Sequence, residues 1–270
     1  MTDDRVRITS EDYVARVCLA RPDKRNALDL AMFQALAAAA VQLADDGEIR
    51  AVVLHGEGDA FSAGLDLSAF AGNPGTIQAL LARESGEAAN LAQRVAWAWR
   101  ELPVPVIAAL HGEVFGGGLQ IALGADIRIA APDSRLSVME VRWGLVPDMA
   151  GSRILKDICG YDVAMELALT GRIVRGDEAR ELGLVTRVAA DPLAEAVALG
   201  TAIAGRSPDA VRAIKYLLHG ARGVDDRAGL DLETRLQVGL LGGKNQMEAA
   251  KAGLEGREPA FTAATIRLPE

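Results

Sequence analysis

Leu110 to Asp148 begins L-H-G-E-V-F-G-G-G-L-Q-I-A-L-G-A-D and ends M-E-V-R-W-G-L-V-P-D, and the reading of the whole chain turns on it. An apolar, strand-like run, Val106 to Leu110, leads to three consecutive glycines, Gly116, Gly117 and Gly118. The short apolar segment L-Q-I-A-L follows with helical character. A strand, a glycine turn and a helix start present bare backbone N–H groups to an electronegative partner. Glycines let that partner come close to the backbone. Glu140 comes twenty residues after Gln120, and Asp148 eight after that. An anion-stabilising turn followed by two carboxylates suits carbonyl chemistry with proton transfer. The competing reading is a tight helix–sheet connection with no chemistry. The stretch fits neither phosphate-binding pattern. G-x-x-x-x-G-K-[ST] is absent, and G-x-G-x-x-G fails at Ile121.

Outward from this stretch, the chain alternates strand and helix patterns for about its first 190 residues. Val6–Ser10 and Val14–Ala20 read as strands around a turn at Glu11 and Asp12. R-P-D-K-R-N-A-L-D then forms a loop, with Arg21, Lys24 and Arg25 as a basic cluster. It reads as a solvated turn or as a clamp for ligand phosphates. Leu28–Leu43 is an alanine-rich helix with Leu30, Phe33, Leu36 and Val41 inward. Ala51–His55 is a buried strand, and F-S-A-G-L-D-L follows it with small residues where backbone meets ligand. A-G-N-P-G at 71–75 is a flexible connection, and Thr76–Glu101 reads as one long helix ending near Trp97 and Trp99. Asp126–Ala130 and Leu136–Val138 are extended. Gly151–Cys159 and Asp162–Thr170 are helical. G-D-E-A-R-E-L-G-L-V makes a short helix capped near Asp177 and ended by Gly183, with a last strand at Val185–Val188. Beyond Asp191 the patterns are helical. The expectation is an α/β core, residues 1–190, and an α-helical C-terminal extension, residues 191–270, for packing and oligomerisation.

The composition narrows the function. The chain has 270 residues, half of them hydrophobic, enough for a substantial core. Its net charge of -8 argues against a nucleic-acid surface. Cys18 and Cys159 have no metal spacing and read as reduced thiols. His55, His111 and His219 form no H-x-x-x-H pair, so no metal site is expected. The N-terminal M-T-D-D-R-V-R is neither a secretory nor a transit signal, and no apolar run of about 18 residues exists to span a membrane. A cytoplasmic protein is expected.

Four motifs stand in order: R-P-x-x-x-N-A-L at Arg21–Leu28, F-S-A-G-L-D at Phe61–Asp66, G-x-x-x-G-G-G at Gly112–Gly118, and Glu140 before W-G-L. Together they resemble the enoyl-CoA hydratase/isomerase family, the crotonases, over nearly the whole chain. The resemblance implies a crotonase-like spiral of ββα units, a homotrimer or dimer of trimers, and an acyl-CoA thioester substrate. No cofactor beyond its coenzyme A moiety is implied. It implies an oxyanion hole formed by the N–H groups of Ala63 and Gly117, which would stabilise the enolate left when a proton departs beside the thioester. It places the CoA-binding contacts at Lys24, Arg25, Ala27, Ala63, Gly64, Leu65 and Asp66.

Hydratases of this family use two glutamates. Glu140 matches the second, but Gln120 stands at the first. Glutamine orients a water or a substrate, yet neither accepts nor delivers a proton as a carboxylate does. Asp148 offers a second acid, as in Δ3,5-Δ2,4-dienoyl-CoA isomerases, although those also carry an acid at the position of Gln120. Monofunctional enoyl-CoA isomerases need only the equivalent of Glu140. The competing role for Asp148 is the N-cap of the helix that follows. The catalytic set is therefore Glu140, Asp148 and Gln120, in an isomerase shifting double bonds of enoyl- or dienoyl-CoA. A 2-enoyl-CoA hydratase and a non-catalytic acyl-CoA-binding protein are the alternatives.

Overall fold

A computed structural model describes residues 5–70, 74–83 and 85–269. Its main sheet has six strands in the order β1-β2-β3-β4-β6-β9. These are β1 (Val6–Glu11), β2 (Val14–Leu19), β3 (Ala51–Gly56), β4 (Val106–Leu110), β6 (Ile127–Ala130) and β9 (Arg187–Val188). The β1–β2 hairpin is antiparallel, and every later pairing is parallel. A second sheet joins β5 (Glu113–Phe115), β7 (Arg135–Ser137) and β8 (Val174–Arg175) in that order. Ser62 extends it through a parallel bridge to Val114. The chain thus repeats one step. A long strand enters the main sheet, a short extended piece enters the second, and a helix or 3-10 turn returns.

Helices cover both faces of the main sheet, so its central strands are apolar almost throughout. Val17, Leu19, Val52, Leu54, Val106, Ala108 and Leu110 face one core with α1 (Leu30–Asp45), α4 (Leu91–Glu101) and α5 (Gly117–Gly124). The alternate residues Val14, Ala51, Val53, Ile107, Ala109 and Ile129 face α9 (Pro192–Ala204) through Ala196 and Ala204. The period of two in a strand assigns the faces. Inside α1, Phe33 and Leu36 are buried, while Val41, expected inward, is 62% exposed. Asp29 starts α1 by accepting the Met32 N–H.

The expected helix over 76–101 is two helices, α3 (Pro74–Leu81) and α4, with α2 (Leu67–Phe70) before them. Gly86 has a φ of 89°, which a right-handed helix does not accept. Asn90 and Gln93 then form a reciprocal capping box that starts α4. The connection expected at 71–75 lies partly outside the described residues. The helices α6 (Gly151–Ile158), α7 (Tyr161–Thr170) and α8 (Gly176–Glu181) follow the second sheet. Asp177 sits inside α8 and does not cap it; Arg175 is the N-cap and gives no side-chain bond. The last helices are α10 (Pro208–Gly220), α11 (Asp226–Leu240) and α12 (Lys244–Glu255). Ala213, Leu232 and Leu236 make a small separate core between α10 and α11. No described helix is long and apolar enough to cross a membrane.

Lys215 of α10 ties this tail to the main core. Its buried ammonium donates to Trp99 O at 2.8 Å and Val104 O at 2.9 Å, and pairs with Asp126 at 2.8 Å. Asp126 also accepts from the Val106 N–H at 2.8 Å and meets His219 Nε2 at 2.7 Å.

Candidate active site

Two loops expected to touch a ligand meet through backbone bonds. The Ala63 N–H donates to Arg25 O at 2.9 Å, the Leu28 N–H to Gly64 O at 2.8 Å, and the Asp66 N–H to Leu28 O at 3.0 Å. Asn26 is fully buried, and its amide donates to Glu57 O and Ala60 O while its carbonyl accepts the Arg21 N–H. Arg21 reaches Asp66 at 2.8 Å and Asp29 at 3.5 Å.

These bonds correct the expected oxyanion pair. The Ala63 N–H is taken by Arg25. The parallel bridge between Leu28 and Leu65 uses Gly64 O and the Asp66 N–H, so the N–H of Leu65 points to the opposite side. Among the described residues it has no acceptor. Gly117 is the first residue of α5, where an N–H has no intrahelical acceptor and the helix dipole favours negative charge. The loops touch at Gly64, whose φ of 86° suits glycine. A Cβ there would lie 2.7 Å from Phe115 O and 3.7 Å from the Gly117 nitrogen. Leu65 and Gly117, on opposing loops, are the candidate donors for one oxygen.

Both line a cavity of ≈ 490 Å³. Phe33, Leu67, Phe70, Ile77, Leu80 and Trp143 supply much of its apolar wall, and Glu140 and Asp148 are its only ionisable side chains among the described residues. Glu140 opens the 3-10 turn Glu140–Trp143. Its Oε1 accepts from Gln120 Nε2 at 2.6 Å; its Oε2 is buried with no hydrogen-bond partner among the described residues. Burial pushes the Glu140 carboxyl above the usual carboxylate range, and the charge of Asp148 adds to the rise against the opposing Gln120 bond. Asp148 is open to the cavity, yet its surroundings raise its carboxyl too, again by burial.

Asp148 does not cap the following helix. The N-cap of α6 is Ala150, in the left-handed region and without a side-chain bond. Gln120 takes that place from a distance. Its Oε1 accepts from the Met149 N–H at 2.9 Å and the Gly151 N–H at 3.1 Å. Gln120 is 1% exposed and lies behind the cavity wall, so it does not face a water or substrate there as the sequence suggested.

The remaining expected contacts divide. Ala63, Gly64 and Leu65 line the cavity. Ala27 supplies a carbonyl to Arg21 at 2.9 Å. Lys24 is exposed at the tip of the 3-10 turn Pro22–Lys24 and forms no ion pair with the described residues. Arg25 is 62% exposed and pairs with Glu113 at 2.8 Å. The Asp66 carboxylate is occupied internally. Its Oδ1 accepts from the Ser68 hydroxyl at 2.6 Å and its Oδ2 from Arg21, and these bonds hold it below the usual range. It shapes the loop.

A family model described as enoyl-CoA hydratase/isomerase matches residues 9–264. The chain belongs to the enoyl-CoA hydratase/isomerase family. The family's members similar to it carry more than one activity in their names. A probable enoyl-CoA hydratase of Bacillus subtilis is 32% identical over 95% of this chain and 98% of that one. A peroxisomal Delta(3,5)-Delta(2,4)-dienoyl-CoA isomerase of Arabidopsis thaliana is 31% identical over 95% of each. The crystal structure of an enoyl-CoA hydratase from Bacillus anthracis superposes with a TM-score of 0.88 at 31% identity, covering 95% of this chain and 98% of that one. The crotonase-like α/β fold is thus shared with this enoyl-CoA hydratase.

Proposed function

We propose that this family member is an acyl-CoA isomerase that moves a double bond along the chain of an enoyl- or dienoyl-CoA thioester. The observation that carries the reading is the polar inventory of the cavity. Glu140 and Asp148 face it, while the amide of Gln120 is engaged behind the wall. A hydratase that positions water between two side chains lacks its second one here.

In this reading the thioester oxygen accepts from the Leu65 and Gly117 N–H groups. Glu140 removes a proton from C2 of a 3-enoyl-CoA, and the electron pair moves to the thioester oxygen as an enolate. Asp148 then delivers a proton to C4, the electrons return, and a 2-enoyl-CoA is left. The two acids exchange protons with solvent between turnovers. Preorganised N–H donors at a developing oxyanion lower a barrier by roughly 3 kcal/mol each. The raised carboxyl of Glu140 makes it a stronger base than a surface glutamate, and that of Asp148 keeps it protonated to higher pH.

The wall around the acyl chain is hydrocarbon with no cationic side chain among the described residues. This supports an unsubstituted acyl chain over one ending in a carboxylate. Lys24 and Arg25, on the neighbouring loop, are the cations available to the phosphates of coenzyme A. Proton NMR of 2-enoyl-, 3-enoyl- and 3,5-dienoyl-CoA substrates tests the reading. Migration of the double bond supports it. A 3-hydroxyacyl product from 2-enoyl-CoA without migration identifies a hydratase, and binding without either change a non-catalytic member.

A further inference from the structure

Both polar atoms of the Gln120 side chain are hydrogen-bonded, and the two serve different parts of the site. Its carbonyl oxygen accepts two backbone N–H groups, Met149 at 2.9 Å and Gly151 at 3.1 Å. That decides which end of the amide is which, since only an oxygen accepts from two N–H donors. The amino end must then face Glu140, and it donates to Oε1 at 2.6 Å. Gly151 permits the approach: a Cβ there would lie 2.6 Å from Gln120 Oε1. Met149 adjoins Asp148, so one side chain in α5 fixes the orientation of one acid and the loop that carries the other.

We infer that Gln120 is a positioning residue that clamps Glu140 through Oε1, fixes the orientation of its carboxyl beside the cavity, and keeps Glu140 the sole titrating member of the pair. This rests on Glu140 being the proton carrier of the proposed reaction. A carboxylate at position 120 could still accept from Met149 and Gly151. Its remaining oxygen would then oppose Glu140 Oε1 with no hydrogen between them. Two carboxyls so close share a proton, and the last one leaves only at higher pH. Glutamine removes that coupling. The other charged group acting on Glu140 is Asp148, across the cavity wall; the described walls contribute no Lys, Arg or His.

Two variants separate the halves of the claim. Gln120→Glu keeps the acceptor for α6 and loses the donor to Glu140. The acid limb of its kcat–pH profile should move up by about one unit or more, so that kcat at a fixed pH on that limb falls roughly tenfold, with KM within about threefold. Gln120→Met loses both functions. It should lower Tm and reduce kcat of the folded fraction by about 10- to 100-fold. An unchanged pH profile and a kcat within twofold for Gln120→Glu overturn the inference, as does a Gln120→Met variant whose only defect is Tm. Glu140→Gln is the control. If it keeps wild-type turnover, the proposed reaction itself fails. If it is inactive while Gln120→Glu matches wild type, only the role of Gln120 fails.

Discussion

Two partly buried acids lie near opposite ends of α5, Asp126 two residues beyond its C-terminus and Glu140 held by Gln120 near its N-terminus, and they differ in partners. Burial alone would raise Asp126, but the His219 hydrogen bond, the Lys215 charge and the Val106 N–H outweigh it and hold Asp126 below the usual carboxylate range. Glu140 has one side-chain donor, the neutral amide of Gln120, and no cationic partner among the described residues; burial outweighs that bond and the nearby backbone N–H groups of Glu140 and Met139, and its carboxyl is raised. The difference teaches that burial by itself does not distinguish a structural carboxylate from a reactive one; the supply of donors does. Asp126 is saturated and joins the helical tail to the sheet. Glu140 is undersupplied beside a cavity.

The contrast can be broken from either end. The largest effect is expected from Glu140→Gln, which should lower kcat by about 10³-fold in a double-bond migration assay. Because the carboxyl of Glu140 is raised in the folded protein, its charge works against folding above the usual carboxylate pKa. Removing it should leave Tm at neutral pH unchanged or higher. Lys215→Met should do the reverse. It strands Asp126 beside Trp99 O and Val104 O, and should cost ~3–5 kcal/mol in denaturant unfolding while folded molecules keep their kcat. Asp148→Asn should reduce migration by roughly 10- to 100-fold, less than Glu140→Gln, with little change in thioester binding by titration calorimetry. The smallest effect concerns acid. A lowered carboxyl stabilises the fold above its unfolded pKa and loses that contribution as pH falls toward its folded one. Below about pH 4 the wild type should lose stability more steeply than Asp126→Asn, read from Tm against pH.

Much of the fold around Glu140 was legible in sequence, while the partners of Asp126 were not. The apolar runs at 51–55 and 106–110 announced strands, and the glycine turn before L-Q-I-A-L announced the start of α5. Glu140 stood out by spacing. What escaped is set by geometry that residue type does not encode. Ala63 and Leu65 lie in one loop, and which of them turns an N–H to the cavity depends on the bridge to Leu28. Gln120 read as a substitution for an acid because sequence shows an amide and not its three partners; Ala150 and Gly151 could not reveal that a residue thirty positions earlier caps their helix. The break between α3 and α4 had visible signals in Gly86 and in Asn90 with Gln93, but helical periodicity on both sides masked them. The exposure of Val41 reflects the alanines of α1, which make its two faces alike in hydrophobicity.

The most direct measurement incubates wild type and Glu140→Gln with a 3-enoyl-CoA in deuterated water and follows the acyl protons by NMR. The account predicts that wild type moves the double bond to C2 with deuterium entering the chain, and that Glu140→Gln slows both by about 10³-fold together. A wild type that leaves the double bond in place and takes up no deuterium, or a Glu140→Gln variant that matches wild type, would contradict it.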